Sequence, residues 1–235
     1  LPSKTPTGLA LTAAELANIL STPARERLPL DVDLVLITAP RLGDPHAALG
    51  TAQLAGAFVA RFPGTTVVPE IDLGIAEPFA IARETASLDI LSDGRAGVAF
   101  VARETPEDLR AHGIPYLEDV HSPGYLDETI AVLHALWSSW KPDAIVRDAK
   151  TDRFVDADRV HPIHFSGAHL SIDGPSATPA SPQGRPPIIV GDGKTREVVH
   201  GDGTRTTLLI HTPQSPLLDE VALRASAAQL EEEQA

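Results

Sequence analysis

Three histidines, His161, His164 and His169, stand close together in the chain. Neutral imidazoles at such spacing could hold a zinc or similar ion. No carboxylate motif accompanies them, so no metal is expected. Gly191-Asp192-Gly193-Lys194-Thr195 has the glycines and lysine of a phosphate loop. It lacks the four-residue spacer and second glycine of that motif. Asp192 would also repel a phosphate dianion, which Lys194 and Arg196 only partly offset. A tight turn is therefore the expected role. There is no Gly-x-Ser-x-Gly and no His-Glu-x-x-His, so neither a hydrolase elbow nor a zincin helix is indicated. With no cysteine, thiolate nucleophiles, thiolate metal sites and disulfides are excluded. Spacing alone names no catalytic residue.

The elements that would position any site alternate along the chain. Residues 1–8 are polar and proline-rich and read as a loose arm. Thr12 with Glu15 has capping-box spacing and starts a helix over 13–20. Residues 31–37 read as a buried strand, 47–62 as a helix ended by Gly64, and 65–69 as another strand. Glu77 to Gly97 holds a helix face of Phe79, Ile81, Ala82, Ala86 and Leu88, a turn at Ser92-Asp93-Gly94, and the entry to a strand at 98–101. Such alternation predicts a parallel sheet with helices packed outside. Residues 104–112 suggest a helical turn, and 125–140 a longer helix stopped by Pro142.

Prolines at 142, 162, 175, 179, 182, 186 and 187 make 141–187 an irregular insertion with short strand-like runs at 153–156 and 164–172. Residues 187–190 resume the sheet. The glycine-rich turn at 201–203 predicts a hairpin between 197–200 and 206–210. Residues 217–230 read as a last helix, with a solvated acidic tail at 231–235.

The 235 residues suffice for one large domain. A (β/α)8 barrel typically takes about 250, so the expected fold is α/β, a (β/α)8 TIM-barrel-like domain over 1–235, shortened or incomplete, with the insertion. A net charge of −13 disfavours nucleic acid and anionic membranes as partners. No apolar run reaches the roughly 18 residues of a membrane span, and no signal peptide is visible. A cytoplasmic protein is expected.

Three blocks resemble a known family. The first is Glu77-Pro78 through Ala82-Arg83, Ala86-Ser87-Leu88-Asp89, Ser92 and Gly94-Arg95-Ala96-Gly97. The second is His121 and Tyr125, then Leu136-Trp137-Ser138-Ser139-Trp140, Asp143-Ala144 and Asp148. The third is Val160-His161 through Gly174-Pro175 to Ser181-Pro182-Gln183-Gly184-Arg185-Pro186. Together they resemble, in family order, the luciferase-like flavin-dependent monooxygenases, specifically the nitrilotriacetate and dibenzothiophene-sulfone monooxygenase group.

The resemblance implies an oxidoreductase that takes reduced FMN from a flavin reductase and, with oxygen, oxygenates a small organic substrate. It places His121 and Tyr125 beside the flavin and leaves Arg95 a structural role. A barrel with missing units would expose strand edges and apolar surface that a dimer partner could cover, so a homo-oligomer is expected. The wider superfamily also uses a deazaflavin. The chain departs from the pattern at several positions. Val98, Ala99 and Ala102 stand where the family has Trp, Asn and Thr, and methyl groups cannot hydrogen-bond a flavin. Gly124 stands where the family has Arg, and Asp192 falls in the phosphate region. A second reading therefore stays open: a non-catalytic barrel homologue without flavin that binds another ligand or a partner.

Overall fold

The computed structural model describes residues 6–21, 32–44, 50–191 and 193–212, apart from the Glu118 side chain. The helix read at 217–230, the acidic tail, Asp192 and the start of the helix read at 47–62 lie outside the described residues.

The elements follow in the order β1 (Thr7–Leu11), α1 (Ala13–Ser21), β2 (Leu34–Ile37), α2 (Thr51–Arg61), β3 (Thr66–Asp72), α3 (Pro78–Ser92) and β4 (Val98–Val101). They continue with α4 (Pro106–Ala111), a 3-10 turn (Glu118–His121), α5 (Pro123–Trp137), β5 (Ile145–Asp148) and β6 (Arg153–Val155). After a second 3-10 turn come β7 (Ile163–Ser166), β8 (Ser171–Gly174), β9 (Ile188–Val190), β10 (Thr195–Val199) and β11 (Arg205–His211).

Seven strands close into a barrel in the order β1-β11-β10-β9-β4-β3-β2. The pairs β1–β2, β2–β3, β3–β4, β4–β9 and β1–β11 are parallel, while β10 is antiparallel to both its neighbours. The expected shortened barrel is thus closed. Four β-α steps and β9 supply one arc, and the hairpin β10–β11 spans the remainder back to β1.

Ala10, Leu36, Val68, Ala99, Ile189, Val198, Leu208 and Ile210 fill the interior. Outside, α1 and α2 pack Leu16, Leu54 and Phe58 against β1 and β2. On the other side α3 and α5 pack Ile81, Ala86, Leu133, Leu136 and Trp137 against β4 and β9.

Local chemistry explains the boundaries. Thr12 and Glu15 form the reciprocal cap of α1, with Thr12 N–H donating to Glu15 at 2.7 Å and Glu15 N–H to Thr12 Oγ1 at 3.2 Å. Glu77 caps α3 ahead of Pro78, and Asp93 ends it in the left-handed region at φ 55°. Gly97 is held to glycine by space: a Cβ there would meet the Pro187 carbonyl oxygen at 2.8 Å, where β4 and β9 meet.

Several expectations need correction. Thr7 and Gly8 belong to β1 rather than to a loose arm, because Leu9, Ala10 and Leu11 are buried beside β2. The α5 helix ends at Trp137, before Ser138–Trp140 and Pro142, since Trp140 leaves to pair with Val160. The α2 helix ends at Arg61 and caps on Phe62, two residues before Gly64. The suggested turn at 104–112 is α4, which has its own capping box of Thr105 and Asp108. The insertion holds two hairpins, β5–β6 and β7–β8, of which β5 has no counterpart in the sequence reading.

The insertion is tied down by two carboxylates. Asp89 of α3 is fully buried; its Oδ2 accepts Gln183 N–H at 3.1 Å and its Oδ1 accepts Gln183 Nε2 at 2.6 Å and Ala96 N–H at 3.4 Å. Glu128 of α5 accepts the N–H groups of Ala168, His169 and Leu170. Those bonds hold its pKa below the ordinary value against the opposing effect of burial.

Candidate functional site at the barrel mouth

The C-terminal ends of β1–β4 and β9 open on one face, and β10 and β11 meet that face at Thr195 and His211. In barrels of this kind the loops on that face carry the chemistry.

An ion-pair network lies in the mouth. Glu70 of β3 has no exposed surface, and its Oε1 accepts Arg196 Nη1 of β10 at 2.7 Å. Its Oε2 accepts Arg103 Nη2 and, at 3.0 Å, Ala39 N–H. Arg103 Nη1 donates to Ala39 O at 3.2 Å. Arg196 is itself buried, and its Nε has no hydrogen-bond partner. Asp72 accepts the N–H groups of Gly74, Arg103 and Glu104, which fixes the exit of β4.

Beside this network a cleft of about 400 Å³ opens between the ends of β3 and β4, Gly191, and the start of α5. Its walls include Leu73, Phe100, Val101 and Val120, with Arg103, His121 and Ser122 as polar groups.

The two predicted residues are placed differently. His121 is exposed on the 3-10 turn and lines the cleft. Tyr125, one turn on, is only 3 % exposed and packs in the α3–α5 core without lining the cleft. Burial chiefly, and the Glu77 charge secondarily, push its phenol pKa up. Its ring meets the His169 ring edge-on at 6.2 Å, and His169 Nδ1 pairs with Asp119 at 3.0 Å. A Cβ at position 124 would stand 2.9 Å from His169 Nε2, so His169 occupies the space a larger residue there would need. His161 and His164 do not join His169, and no group of metal-binding side chains forms among the described residues. Arg95 donates to Thr65 O at 3.1 Å, tying the α3–β4 turn to the start of β3.

Sequence reasoning missed Glu70 and Arg103, and it read Arg196 only as a partial offset to Asp192. A signal was available: Glu70 continues the apolar run Val67-Val68-Pro69 into Ile71, and a carboxylate in a buried strand requires a partner.

The described residues fit one half of a flavin. A flat ring system would meet apolar walls and edge hydrogen-bonding groups in the cleft. Ala102 adds a methyl to that wall, and Ala99 is sealed in the barrel interior. The phosphate half does not fit. Flavin phosphates favour helix N-termini, whereas β9 here leads through Gly191 and Gly193 into a strand.

Residues 64–233 match the family model of luciferase-like monooxygenases. The chain belongs to the luciferase-like monooxygenase family. It is 35% identical over 147 residues to N-acetyl-S-(2-succino)cysteine monooxygenase of Bacillus subtilis (strain 168), covering 60% of this chain and 32% of that protein. It is 33% identical over 177 residues to the long-chain alkane monooxygenase of Geobacillus thermodenitrificans (strain NG80-2), covering 73% of this chain and 36% of that protein. The chain thus spans about a third of the length of these relatives. Among solved structures, a riboflavin lyase with modified FMN and riboflavin superposes with a TM-score of 0.63 at 24% identity, over 80% of this chain and 50% of that one. No helix among the described residues is long and apolar enough to cross a membrane.

Proposed function

We propose that the protein is a flavin-dependent oxidoreductase of the luciferase-like monooxygenase type. It uses reduced FMN supplied by a partner reductase, and oxygen, to oxygenate a small organic substrate. The observation that carries this reading is the mouth cleft, formed by the ends of β3, β4 and β9 within the residues that match the family.

Reduced flavin supplies the electrons that activate oxygen. The chain's own residues do the rest. Leu73, Phe100 and Val120 give the cleft apolar walls, the surface against which a bound ligand would displace water and so shelter reactive species. His121 offers a ring nitrogen at the rim for orienting a polar edge. Tyr125 supports that rim by packing beneath it.

A competing reading, a barrel that binds a ligand or partner without flavin, draws on Ala99 and Ala102 and on the lack of a phosphate cradle among the described residues. The family match and the monooxygenase relatives weigh toward the oxygenase.

Anaerobic titration of the purified protein with reduced FMN separates the two. Saturable binding in the micromolar range, weakened in His121→Ala, is expected. No binding at high micromolar FMN by a protein shown to be folded would discard the oxygenase reading.

A further inference from the structure

The mouth cleft has a charge bias that membership of the family does not require. We infer that it receives an oxyanion carried by a small organic ligand, and that Arg103 is the residue selecting it. The inference rests on reading the mouth as the ligand site.

Arg103 stands just past the end of β4 and lines the cleft. Its guanidinium is held in place: Nη1 donates to Ala39 O at 3.2 Å, Nη2 pairs with Glu70, and the residue's own N–H donates to Asp72 Oδ2 at 2.8 Å. The side chain is still 30% exposed. A planar fork fixed in this way loses little further freedom on meeting a carboxylate or phosphate.

The surrounding charges favour an anion. Glu70 is shared by Arg103 and Arg196, so this carboxylate faces two cations. The other acids on these strand ends are turned to backbone donors. Asp72 accepts three N–H groups, and Glu104 accepts Leu42 N–H at 3.0 Å. Among the described residues lining the cleft, none is a carboxylate and Arg103 is the one formal charge.

A neighbouring cleft of about 440 Å³ is the opposite, lined by Glu70, Asp72, Glu77 and Glu84. In a chain of net charge −13, a cleft with a fixed guanidinium and no acid on its walls selects against cations and for anions. Leu73, Phe100 and Val120 give the organic part of the ligand an apolar wall, and His121 gives it a second polar contact.

Isothermal titration of the full chain with succinate, inorganic phosphate and neutral succinamide, at matched ionic strength, tests the inference. At least one anion is expected to bind saturably, with succinamide at least tenfold weaker. Arg103→Gln should lower anion affinity at least tenfold, and Arg103→Lys by less.

Removing Arg103 also disturbs Glu70, so Ser122→Asp serves as an independent probe. Ser122 caps α5, its Oγ accepting Tyr125 N–H at 3.1 Å; aspartate is as good a helix cap as serine, and it adds a negative charge to the cleft wall without touching the Glu70 network. It should weaken anion binding by a similar factor.

Binding of succinate alone points to a substrate carboxylate, and binding of phosphate alone to a phosphorylated ligand. Either upholds the inference. Equal binding of succinamide, no anion binding, or unchanged affinity in both Arg103→Gln and Ser122→Asp would overturn it. Titration with reduced FMN is read separately: a protein that binds succinate through Arg103 but no flavin keeps the anion site and loses the oxygenase reading.

Discussion

Asp89 has no access to water, and both its oxygens are in use. They hold the backbone of Gln183, the side chain of Gln183 and the N–H of Ala96, so one carboxylate joins α3, the α3–β4 turn and the end of the insertion. Asp89→Ala would leave the buried Ala96 N–H and the Gln183 N–H without their acceptor, while Gln183 Nε2 keeps Ala96 O at 2.6 Å, and a loss of about 2 kcal/mol is expected in urea denaturation. Asp89→Asn keeps one acceptor oxygen and should lose distinctly less.

His134 behaves differently. Its Nε2 is buried with no hydrogen-bond partner, and burial first, then the Arg185 charge, lowers its pKa from the ordinary 6.5. The native state therefore binds fewer protons there than the unfolded chain. Stability is unaffected above pH 6.5 and falls as pH drops from that value through the lowered native pKa. A melting temperature that declines below pH 6.5, with a shallower decline in His134→Phe, is the expected profile.

At the scale of elements, the hairpin β10–β11 is held to the barrel by more than its ladders. Arg196 reaches from β10 to Glu70 on β3, across the mouth. Arg196→Ala would leave Glu70 with Arg103 as its one remaining cation among the described residues, and roughly 3 kcal/mol of stability should be lost by chemical denaturation. In the Glu70→Gln background the same substitution should cost much less, because the two residues act as one unit.

This scale also shows what the sequence made legible. The helix–turn–strand at 77–101 was readable because caps, glycine turn and apolar period agree locally. The β10–β11 hairpin was readable from its glycine turn. Its place between β9 and β1 was not, since closure depends on pairings between distant segments that no local pattern encodes. The first strand was hidden because Thr7–Leu11 is a short run squeezed between a proline-rich arm and a helix cap. His121 was singled out through a motif, while Arg103 and Glu70 acquire meaning only when the ends of β2, β3, β4 and β10 come together.

At the scale of the whole molecule, a net charge of −13 sets up self-repulsion that the unfolded chain can relax by expanding. Raising ionic strength from about 10 mM to about 150 mM shortens the screening length from about 30 Å to about 8 Å. The melting temperature should rise over that range. A fall would mean that attractive pairs such as Glu70–Arg196 outweigh the repulsion.

The pairing of β1 with β11 also dictates an order of events. Thr7 aligns with Leu209, so the ring is completed by contacts between nearly opposite ends of the described chain. Loop closure over so long a span is slow compared with the local β-α steps. During synthesis the earlier strands can assemble as they emerge, but among the described strands β1 gains its outer partner only when residues 205–211 have left the ribosome. For that interval the nascent protein is an open sheet with an unpaired strand edge, the form in which β proteins most readily stick to one another.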